Sequence, residues 1–340
     1  MTFSRLTVPA AVIGGFASLA AAQTSNVVFG VLDPAAIKLN GKYYIFSTGN
    51  GIPIRVSDDL KNWKDSGRVM NAPPAWAVND FPGNRSQWAP DVTVVNGEVR
   101  LYFAVSEFGK SHSTLGLFTS PVPTAAKPDF QWTDRGQVIS TQVGDDWNAI
   151  DSAAFVDADG RHWMAIGSYW SGIKLFKLDA ATGKVIEGDK PRSIAARGGS
   201  RAIEAPFVTR HDGWYFLWVS FDRCCAGVES TYNVRIGRSR KPDGPYVDRD
   251  GKPMTEGGGT LVLEGYDNVR GPGHNSVLQD GDKEYLVHHW YDAARRGRQS
   301  LGIRPITYDA AGWPKAGEPL PASYTPSRLR TSRPATGPTP

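Results

Sequence analysis

The sequence is poor in cysteine. Its two cysteines among 340 residues are adjacent, at Cys224 and Cys225. Two cysteines cannot build a disulfide framework, and a metal site would need further ligands. In a secreted protein the pair would form a vicinal disulfide that locks the turn after Asp222, and otherwise it would remain as two buried thiols. The sequence leaves both alternatives open.

Long apolar runs are also scarce. The one such run, Leu6 to Ala22, follows Arg5 and ends in three alanines, a small-residue pattern typical of a signal-peptide cleavage site. The run is short and carries a proline and two glycines, which argues against a transmembrane helix. We therefore predict a signal peptide at residues 1–22 and a secreted protein, extracellular or periplasmic in a Gram-negative source, with no membrane partner.

Strong charge and helical periodicity are lacking as well. The formal net charge is +4 at pH 7, which is too small to indicate a nucleic-acid partner. Amphipathic helical stretches are nearly absent, whereas short apolar runs such as VRLYFAVS and YFLWVS are typical of β-strands. We predict one all-β domain over residues 23–320. The tail at 321–340, rich in Pro, Ser and Thr, is predicted to be disordered.

A repeated unit organises this domain. Each unit has a polar opening residue, a short apolar run, a Gly-containing turn and an aromatic run, which together predict a β-hairpin. The openings lie 53 to 70 residues apart, and they are Asp33, Asp91, Asp151, Glu204 and His274. Repeats of this length, with room for two further strands after each hairpin, predict a five-bladed β-propeller.

The repeat also predicts a site. Inner strands of a propeller run alike around one channel, so equivalent residues gather at one end of it. Four carboxylates and one imidazole held together there would repel or perturb one another, and at least one carboxyl pKa should rise. Such a cluster does not stabilise a fold, so we interpret it as a candidate active site rather than as a set of solvated strand ends.

Carboxylates around a funnel of sugar size favour glycoside hydrolysis. An inverting hydrolase needs two carboxyl groups about 6.5–9.5 Å apart, and Asp33 and Glu204 lie on non-adjacent blades that could span this gap. The charge of Asp151, between them, would raise the pKa of Glu204 and keep it protonated. Trp170, beside small polar residues, would suit stacking against a sugar, although an isolated Trp more often packs in a core.

Long motifs carry a family resemblance across about residues 28–314. The segments VLDPAAIKLNGKYYIFSTG, QWAPDV, NAIDSAAFVDADG, GSYWSGIKL, AIEAPFV, VSFDRCCAGVESTYN and GPGHNS resemble those of the endo-1,5-α-L-arabinanases of glycoside hydrolase family 43. The resemblance implies a five-bladed propeller that inverts configuration and acts on arabinan in plant cell-wall pectin. We also predict that the protein is a monomer. Leu32 departs from the pattern, since a His usually precedes the base. The resemblance therefore does not specify the pocket wall beside Asp33, whereas the role it implies for Asp33 is unaffected.

The resemblance also implies residue roles. Asp33 would be the base, Glu204 the acid, and Asp151 the residue that tunes the acid and orients the substrate. Substrate contacts would come from Asp33, Gly109, Asn148, Ala149, Ile150, Asp151, Ser168, Tyr169 and Trp170. His274 would lie near a channel metal, usually calcium, or near a water cluster.

Other functions remain open at this point. An exo-acting arabinanase, an arabinofuranosidase or a β-xylosidase would use the same fold, and loop length around the cleft decides between them. A sialidase would need an Arg cluster and a Tyr nucleophile, which the sequence does not reveal. A non-catalytic sugar-binding propeller would keep the aromatic residues and lose the acids, so Asp33, Asp151 and Glu204 argue against it.

Overall fold

The structure is a computed structural model that describes residues 27–199 and 201–325. The predicted signal peptide, residues 1–22, lies outside the described residues. In the described part, 21 strands form five sheets. The helical elements there are one α-helix, α1 (Ala75–Asp80), and three 3₁₀ turns, at Gly227–Glu229, Met254–Glu256 and Ala293–Arg295. None of the helices seen there has the length and apolar character needed to cross a membrane.

Each sheet is one blade, whose four antiparallel strands follow chain order from the axis outward, and the sheet of blade 1 has a fifth strand at its outer edge. Blade 1 contains β1 (Ala35–Leu39), β2 (Lys42–Phe46), β3 (Pro53–Ser57) and β4 (Asn62–Arg68). Blade 2 contains β5 (Trp88–Val95), β6 (Glu98–Ser106), β7 (Ser113–Pro121) and β8 (Thr133–Thr141). Blade 3 contains β9 (Ala153–Val156), β10 (His162–Ile166), β11 (Ile173–Leu178) and β12 (Arg192–Ala195). Blade 4 contains β13 (Ile203–His211), β14 (Trp214–Phe221), β15 (Asn233–Ser239) and β16 (Thr260–Leu263). Blade 5 contains β17 (Val269–Asp280), β18 (Lys283–Asp292), β19 (Arg298–Tyr308) and β20 (Pro314–Ala316).

The predicted hairpin turns open the blades. Both turn residues have positive φ at Asn40-Gly41, Asn96-Gly97 and Asp212-Gly213, as a two-residue turn between twisted strands requires. Asn and Gly tolerate this conformation, whereas a β-branched residue would be strained there. The predicted all-β, five-bladed propeller is confirmed.

Five apolar clusters hold the blades together, one at each interface between neighbouring sheets. Phe46 meets Phe103 in the cluster between blades 1 and 2, and Trp218 meets Leu286 in the cluster between blades 4 and 5. The remaining clusters join blades 2 and 3, blades 3 and 4, and blades 5 and 1. Since blade 5 packs on blade 1 as the other neighbours pack on each other, the sheets form a closed ring around the inner strands β1, β5, β9, β13 and β17.

Both ends of the described chain reinforce this ring. Val28 and Gly30 form backbone hydrogen bonds of 2.9 Å with the start of β19 in blade 5. A strand β21 (Ser323–Thr325) pairs in parallel with β4 at the outer edge of blade 1. A disordered tail was predicted from residue 321, but β21 is part of the blade 1 sheet, so the propeller extends to residue 325. Tyr324 anchors it through a 2.8 Å hydrogen bond to Asp65. Residues 326–340 lie outside the described part.

A recurring strained residue shows the true register of the repeat. Each blade has one non-glycine residue with φ between 41° and 55° just before its inner strand or within the strand's first half, and these residues are Asp33, Ala89, Asp151, Ala205 and His274. The left-handed conformation costs a non-glycine residue on the order of 1 kcal/mol or more, so five-fold recurrence indicates a constraint from the channel mouth. Asp91 therefore lies two residues beyond the equivalent position and Glu204 one residue before it. Register shifts in the ladders beside both residues account for the difference.

Candidate active site

An open cavity of about 410 Å³ lies over the mouth of the channel. Its walls come from the loops that follow β6, β10 and β14 and from the starts of inner strands. The lining residues are Trp88, Ser106, Glu107, Phe108, Gly109, Lys110, Asn148, Ile150, Ser168, Tyr169, Trp170, Glu204, Cys224 and Cys225. Aromatic rings therefore line the cavity together with two carboxylates, Glu107 and Glu204, which suits a ligand with both apolar faces and polar groups.

Asp33 lies at the start of blade 1, buried and held on several sides. The Thr48 hydroxyl donates to Asp33 Oδ2 at 2.5 Å, and the same Thr48 oxygen accepts from the backbone N–H of Ala89 at 2.8 Å. The other carboxylate oxygen, Oδ1, lies 3.1 Å from His274 Nδ1. The backbone N–H of Asp33 donates to His289 Nδ1 at 3.1 Å. These contacts fix the orientation of Asp33 at the channel mouth.

Glu204 lies across the channel mouth in blade 4 and forms part of the cavity floor. The Ser168 hydroxyl donates to Glu204 Oε2 at 2.7 Å. Burial is the largest influence on this carboxyl and raises its pKa, while the Tyr232 and Ser168 hydroxyls and the charge of His274 act in the opposite direction. A carboxyl group with a raised pKa retains its proton to higher pH, as a general acid requires.

Asp151 lies between the other two carboxyl groups in the ring of inner strands. Its Oδ2 accepts from the backbone N–H of Ala205 at 3.1 Å, which links blade 3 to blade 4 beside Glu204. Burial raises the pKa of Asp151 well above its usual value, and the charges of Glu204 and Asp33 raise it further. The three carboxyl groups thus interact electrostatically, as the repeat predicted, although burial outweighs repulsion as the cause.

Asp91 does not line the cavity over Glu204. It lines a small, separate cavity formed by residues of all five blades, Asp151 and His274 among them. Its Oδ2 accepts from the backbone N–H of Ala154 at 2.7 Å, and burial raises its pKa to about 7. The two-residue offset in register therefore turns Asp91 into a link between blades 2 and 3, away from the cavity over Glu204.

The predicted substrate-binding residues divide into two groups. Those that line the cavity are Gly109, Asn148, Ile150, Ser168, Tyr169 and Trp170. Asp33, Ala149 and Asp151 are buried and do not line it, and the backbone N–H of Ala149 donates to Thr141 Oγ1 at 3.1 Å. Tyr169 and Trp170 both have positive φ, so their loop is held in a strained conformation at the cavity wall.

Several residues of the site were not singled out from the sequence. Thr48 and His289 position Asp33, Tyr232 faces Glu204, and Trp88 lies 6.5 Å from Phe108 in an edge-on arrangement at the cavity wall. Cys224 and Cys225 form a disulfide, which settles the open alternative, and both line the cavity. The repeat pattern marks only the opening residue of each unit, so it does not single out Thr48, Trp88, Tyr232 or His289.

Comparison with models of known protein families identifies the family of this chain. The profile of the glycosyl hydrolases family 43 matches residues 25–314, which include every blade. The chain belongs to glycosyl hydrolase family 43.

Relatives in this family share most of the chain's length. An extracellular exo-α-(1→5)-L-arabinofuranosidase of Cellvibrio japonicus is 39% identical over 312 residues, covering 88% of this chain and 90% of the relative. An extracellular endo-α-(1→5)-L-arabinanase of Bacillus subtilis is 41% identical over 288 residues, covering 83% and 86%. The structure of an α-L-arabinanase of Cellvibrio cellulosa in complex with arabinohexaose superposes with a TM-score of 0.82 at 39% identity, covering 85% of this chain and 96% of the other.

His274 is the residue that was predicted to lie near a channel metal. Among residues 27–199 and 201–325, no three His, Cys, Asp or Glu side chains are grouped as metal ligands. Calcium prefers oxygen ligands, and Nδ1 of His274 already lies against Asp33. Side chains of the described residues therefore do not form a calcium site by themselves. Calcium near His274 stays a prediction, and no chemical step is assigned to it.

The raised pKa of Asp91 predicts a pH-dependent stability. A carboxyl whose folded pKa is raised favours folding below its unfolded pKa, and this contribution is lost as the pH rises through the folded value. The free energy of unfolding of Asp91→Asn, relative to that of the wild type, should therefore be higher at pH 8 than at pH 4. The expected difference is roughly 2–4 kcal/mol, given a pKa of about 7. Urea unfolding of both proteins at the two pH values measures the difference.

The same variant provides a control for catalysis. Because Asp91 lies outside the cavity over Glu204, Asp91→Asn should keep most of the enzyme's hydrolytic rate. A stability gap that is equal at pH 4 and pH 8 would contradict the assignment of a buried, neutral carboxyl group at position 91.

Proposed function

We propose that the protein is a secreted, inverting endo-1,5-α-L-arabinanase that hydrolyses linear α-1,5-linked arabinan. The observation that carries the proposal is the placement of Glu204, with a raised pKa, in the floor of an aromatic cavity beside Asp33 and Asp151. Family membership and the names of both relatives support arabinan as the substrate.

The chemistry follows from the environments of the carboxyl groups. Asp33, oriented by Thr48 and His274, accepts a proton from a water molecule as the water attacks the anomeric carbon. Glu204 gives its proton to the glycosidic oxygen as the bond to the leaving sugar breaks. Glu204 and Asp151 interact electrostatically, so Asp151 in its ionised form favours the protonated form of Glu204. Regeneration of the starting state requires only proton exchange with water.

Secretion is part of the proposal because residues 1–22 have the pattern of a signal peptide and both relatives are named extracellular. We propose that the protein acts as a monomer. All five interfaces between blades are formed within one chain, so the catalytic group is complete without a second subunit.

Exo action on the same substrate is the second candidate, favoured by the name of the Cellvibrio japonicus relative. The two modes differ in product sizes over time. An endo enzyme should release a broad range of oligosaccharides from linear arabinan in the first few per cent of hydrolysis, whereas an exo enzyme releases one short product from the start. Chromatography of timed samples decides, and a single early product would overturn the endo assignment.

Removal of the acid and of the base tests the catalytic assignments. Glu204→Gln and Asp33→Asn should each reduce kcat about 10²–10⁴-fold on arabinan, because positioned acid–base groups contribute rate enhancements of this size. An aryl arabinoside with a good leaving group needs little protonation. It should therefore recover much of the loss in Glu204→Gln and none in Asp33→Asn. Equal losses on both substrates would contradict Glu204 as the acid.

The stereochemistry of the product tests the water-mediated step. Because Asp33 and Glu204 lie on non-adjacent blades, we expect room for a water molecule between Asp33 and the sugar, and hence a first-formed product of inverted configuration. Proton NMR during the first minutes of reaction, before mutarotation, detects the anomer. Net retention would mean that the two carboxyl groups approach to about 5–5.5 Å and form a nucleophile pair.

Two variants should move the alkaline limb of the pH–rate profile in opposite directions. Activity is lost at high pH when Glu204 releases its proton. Asp151→Asn removes repulsion that holds this proton, so the limb should move to lower pH. Ser168→Ala removes a donor that stabilises ionised Glu204, so the limb should move to higher pH.

Each pH unit of such a displacement corresponds to about 1.4 kcal/mol of interaction between the groups. Profiles of kcat/KM against pH measure the displacement for the free enzyme. An Asp151→Asn profile that loses height while its alkaline limb stays in place would reduce Asp151 to a substrate ligand without an electrostatic role.

A further inference from the structure

A second pocket lies in blade 5, apart from the cavity over Glu204. Its volume is about 240 Å³, and none of its lining residues lines that cavity. The floor comes from β18 and β19, and the walls come from the segment before β17 and the segment that follows β20. The lining residues are Val27, Tyr266, Val269, His288, Trp290, Leu301, Gly302, Arg304, Pro319, Leu320, Pro321 and Ala322.

Two buried polar atoms in the floor of this pocket have no hydrogen-bond partner. They are Nε2 of His288 and Nε of Arg304, in side chains that are 1% and 6% exposed as residues. Leaving such an atom unsatisfied costs about 1–3 kcal/mol, so their occurrence together in one pocket indicates a ligand or water that bonds to them.

The strand register places these two side chains on one face of the sheet. His288 pairs with Gly302 across the ladder, and Arg304 pairs with Leu286, so the two side chains are diagonal neighbours. A Cβ atom at Gly302 would lie 2.4 Å from the imidazole ring, so only glycine lets His288 occupy this floor. The guanidinium of Arg304 is fixed by donation to the carbonyl of Gly317 at 2.9 Å and to the hydroxyl of Tyr266.

The hydrogen-bonding roles of the two atoms differ, and this selects the ligand. His288 Nδ1 lies 2.9 Å from the carbonyl oxygen of His289 and must carry a proton to donate to it. Burial lowers the pKa of His288 to about 3, so the ring is neutral and Nε2 is an acceptor. Arg304 Nε–H is a donor. A hydroxyl group satisfies both atoms at once, whereas an anion would face the lone pair of Nε2.

The remaining walls suit a sugar ring. Trp290 and Tyr266 contribute aromatic surface, and Val269 and Leu320 contribute aliphatic surface. The apolar C–H face of a sugar stacks on aromatic rings while its hydroxyls take the polar contacts. The pocket volume far exceeds the roughly 30 Å³ that one water molecule takes in the liquid, so there is room for more than a bridging water.

We propose that this pocket is a second carbohydrate site that holds one pentose unit of the polysaccharide, with a sugar hydroxyl bridging His288 and Arg304. The identity of the sugar rests on the proposed function, whereas the preference for a neutral hydroxyl rests on the pocket alone. Two sites on one chain would raise the avidity for a long polysaccharide without changing hydrolysis of a short substrate.

Affinity electrophoresis through gels that contain linear α-1,5-arabinan tests the proposal. The parent protein is Glu204→Gln, which binds without hydrolysis, and Tyr266→Ala is added to it to remove one aromatic wall. Tyr266 is 39% exposed, so the fold should tolerate the change. Apparent affinity for arabinan should fall roughly two- to tenfold, as expected for one aromatic contact.

Tyr266→Phe in the same parent is the matched comparison, because it keeps the ring and removes only the hydroxyl that accepts from Arg304, so it should lose less affinity than Tyr266→Ala. In otherwise wild-type protein, Tyr266→Ala should leave the hydrolysis rate of a short aryl arabinoside unchanged. Equal retardation of the parent and its Tyr266→Ala form would overturn the proposal. Failure of the proposed function is a separate observation, since the wild-type protein would then leave arabinan uncut.

A crystal structure of Glu204→Gln soaked with α-1,5-L-arabinotriose gives a second, site-resolved readout. We expect a sugar hydroxyl within about 3.2 Å of both His288 Nε2 and Arg304 Nε, the upper end of hydrogen-bond distances. Water molecules alone on these two atoms, with sugar bound over Glu204, would also overturn the proposal, because the pocket would then be a hydrated structural feature.

Discussion

Burial of several carboxyl groups around one axis is the constraint on which this structure depends. Asp33, Asp151 and Glu204 are each at most 9% exposed, and ionising all three would require charge in a region of low polarity. The protein meets this demand unequally. Asp33 receives a hydroxyl donor and lies against an imidazole, whereas Glu204 and Asp151 have raised pKa values. In the proposed mechanism, one fold thereby provides a base and an acid at the same pH.

Contacts between neighbouring blades of the ring hold the three carboxyl groups in this arrangement. Each blade has a strained, left-handed residue just before its inner strand or within the strand's first half, and contacts between blades hold such residues in place. Thr48 of blade 1 bonds to Ala89 of blade 2, and Asp151 of blade 3 bonds to Ala205 of blade 4. The side chains that form the site are therefore also links of the ring. A substitution among them risks displacing a neighbouring blade, so conservative exchanges such as Asp→Asn are the informative ones.

The sequence predicted the propeller because its signal is local and repeated. Asn40-Gly41 and Asn96-Gly97 demand tight turns, and alternating aromatic runs flank them. Asp33, Asp151, Glu204 and His274 were predicted to converge for the same reason, and they do so. Asp91 was misplaced because a register shift in β5 moves it along the channel, and no residue pattern marks that shift.

Other features depend on contacts between residues far apart in the chain. His289 reaches Asp33 across 256 positions, and β21 pairs with β4 across more than 250 residues. The polar floor at His288 depends on Gly302 opposite it in the ladder. Single-residue chemistry suggests none of these pairings, since each arises only when the sheets have formed and closed into a ring.

The position of the substrate relative to the carboxyl groups tests the central claim most directly. A crystal structure of Glu204→Gln with an arabino-oligosaccharide bound across the cavity would measure it. The account predicts a glycosidic oxygen within about 2.6–3.2 Å of the residue 204 side chain, and a water between Asp33 and the anomeric carbon. An oligosaccharide bound in the cavity with its glycosidic oxygens remote from residue 204, or with Asp33 in direct contact with the anomeric carbon, would contradict it.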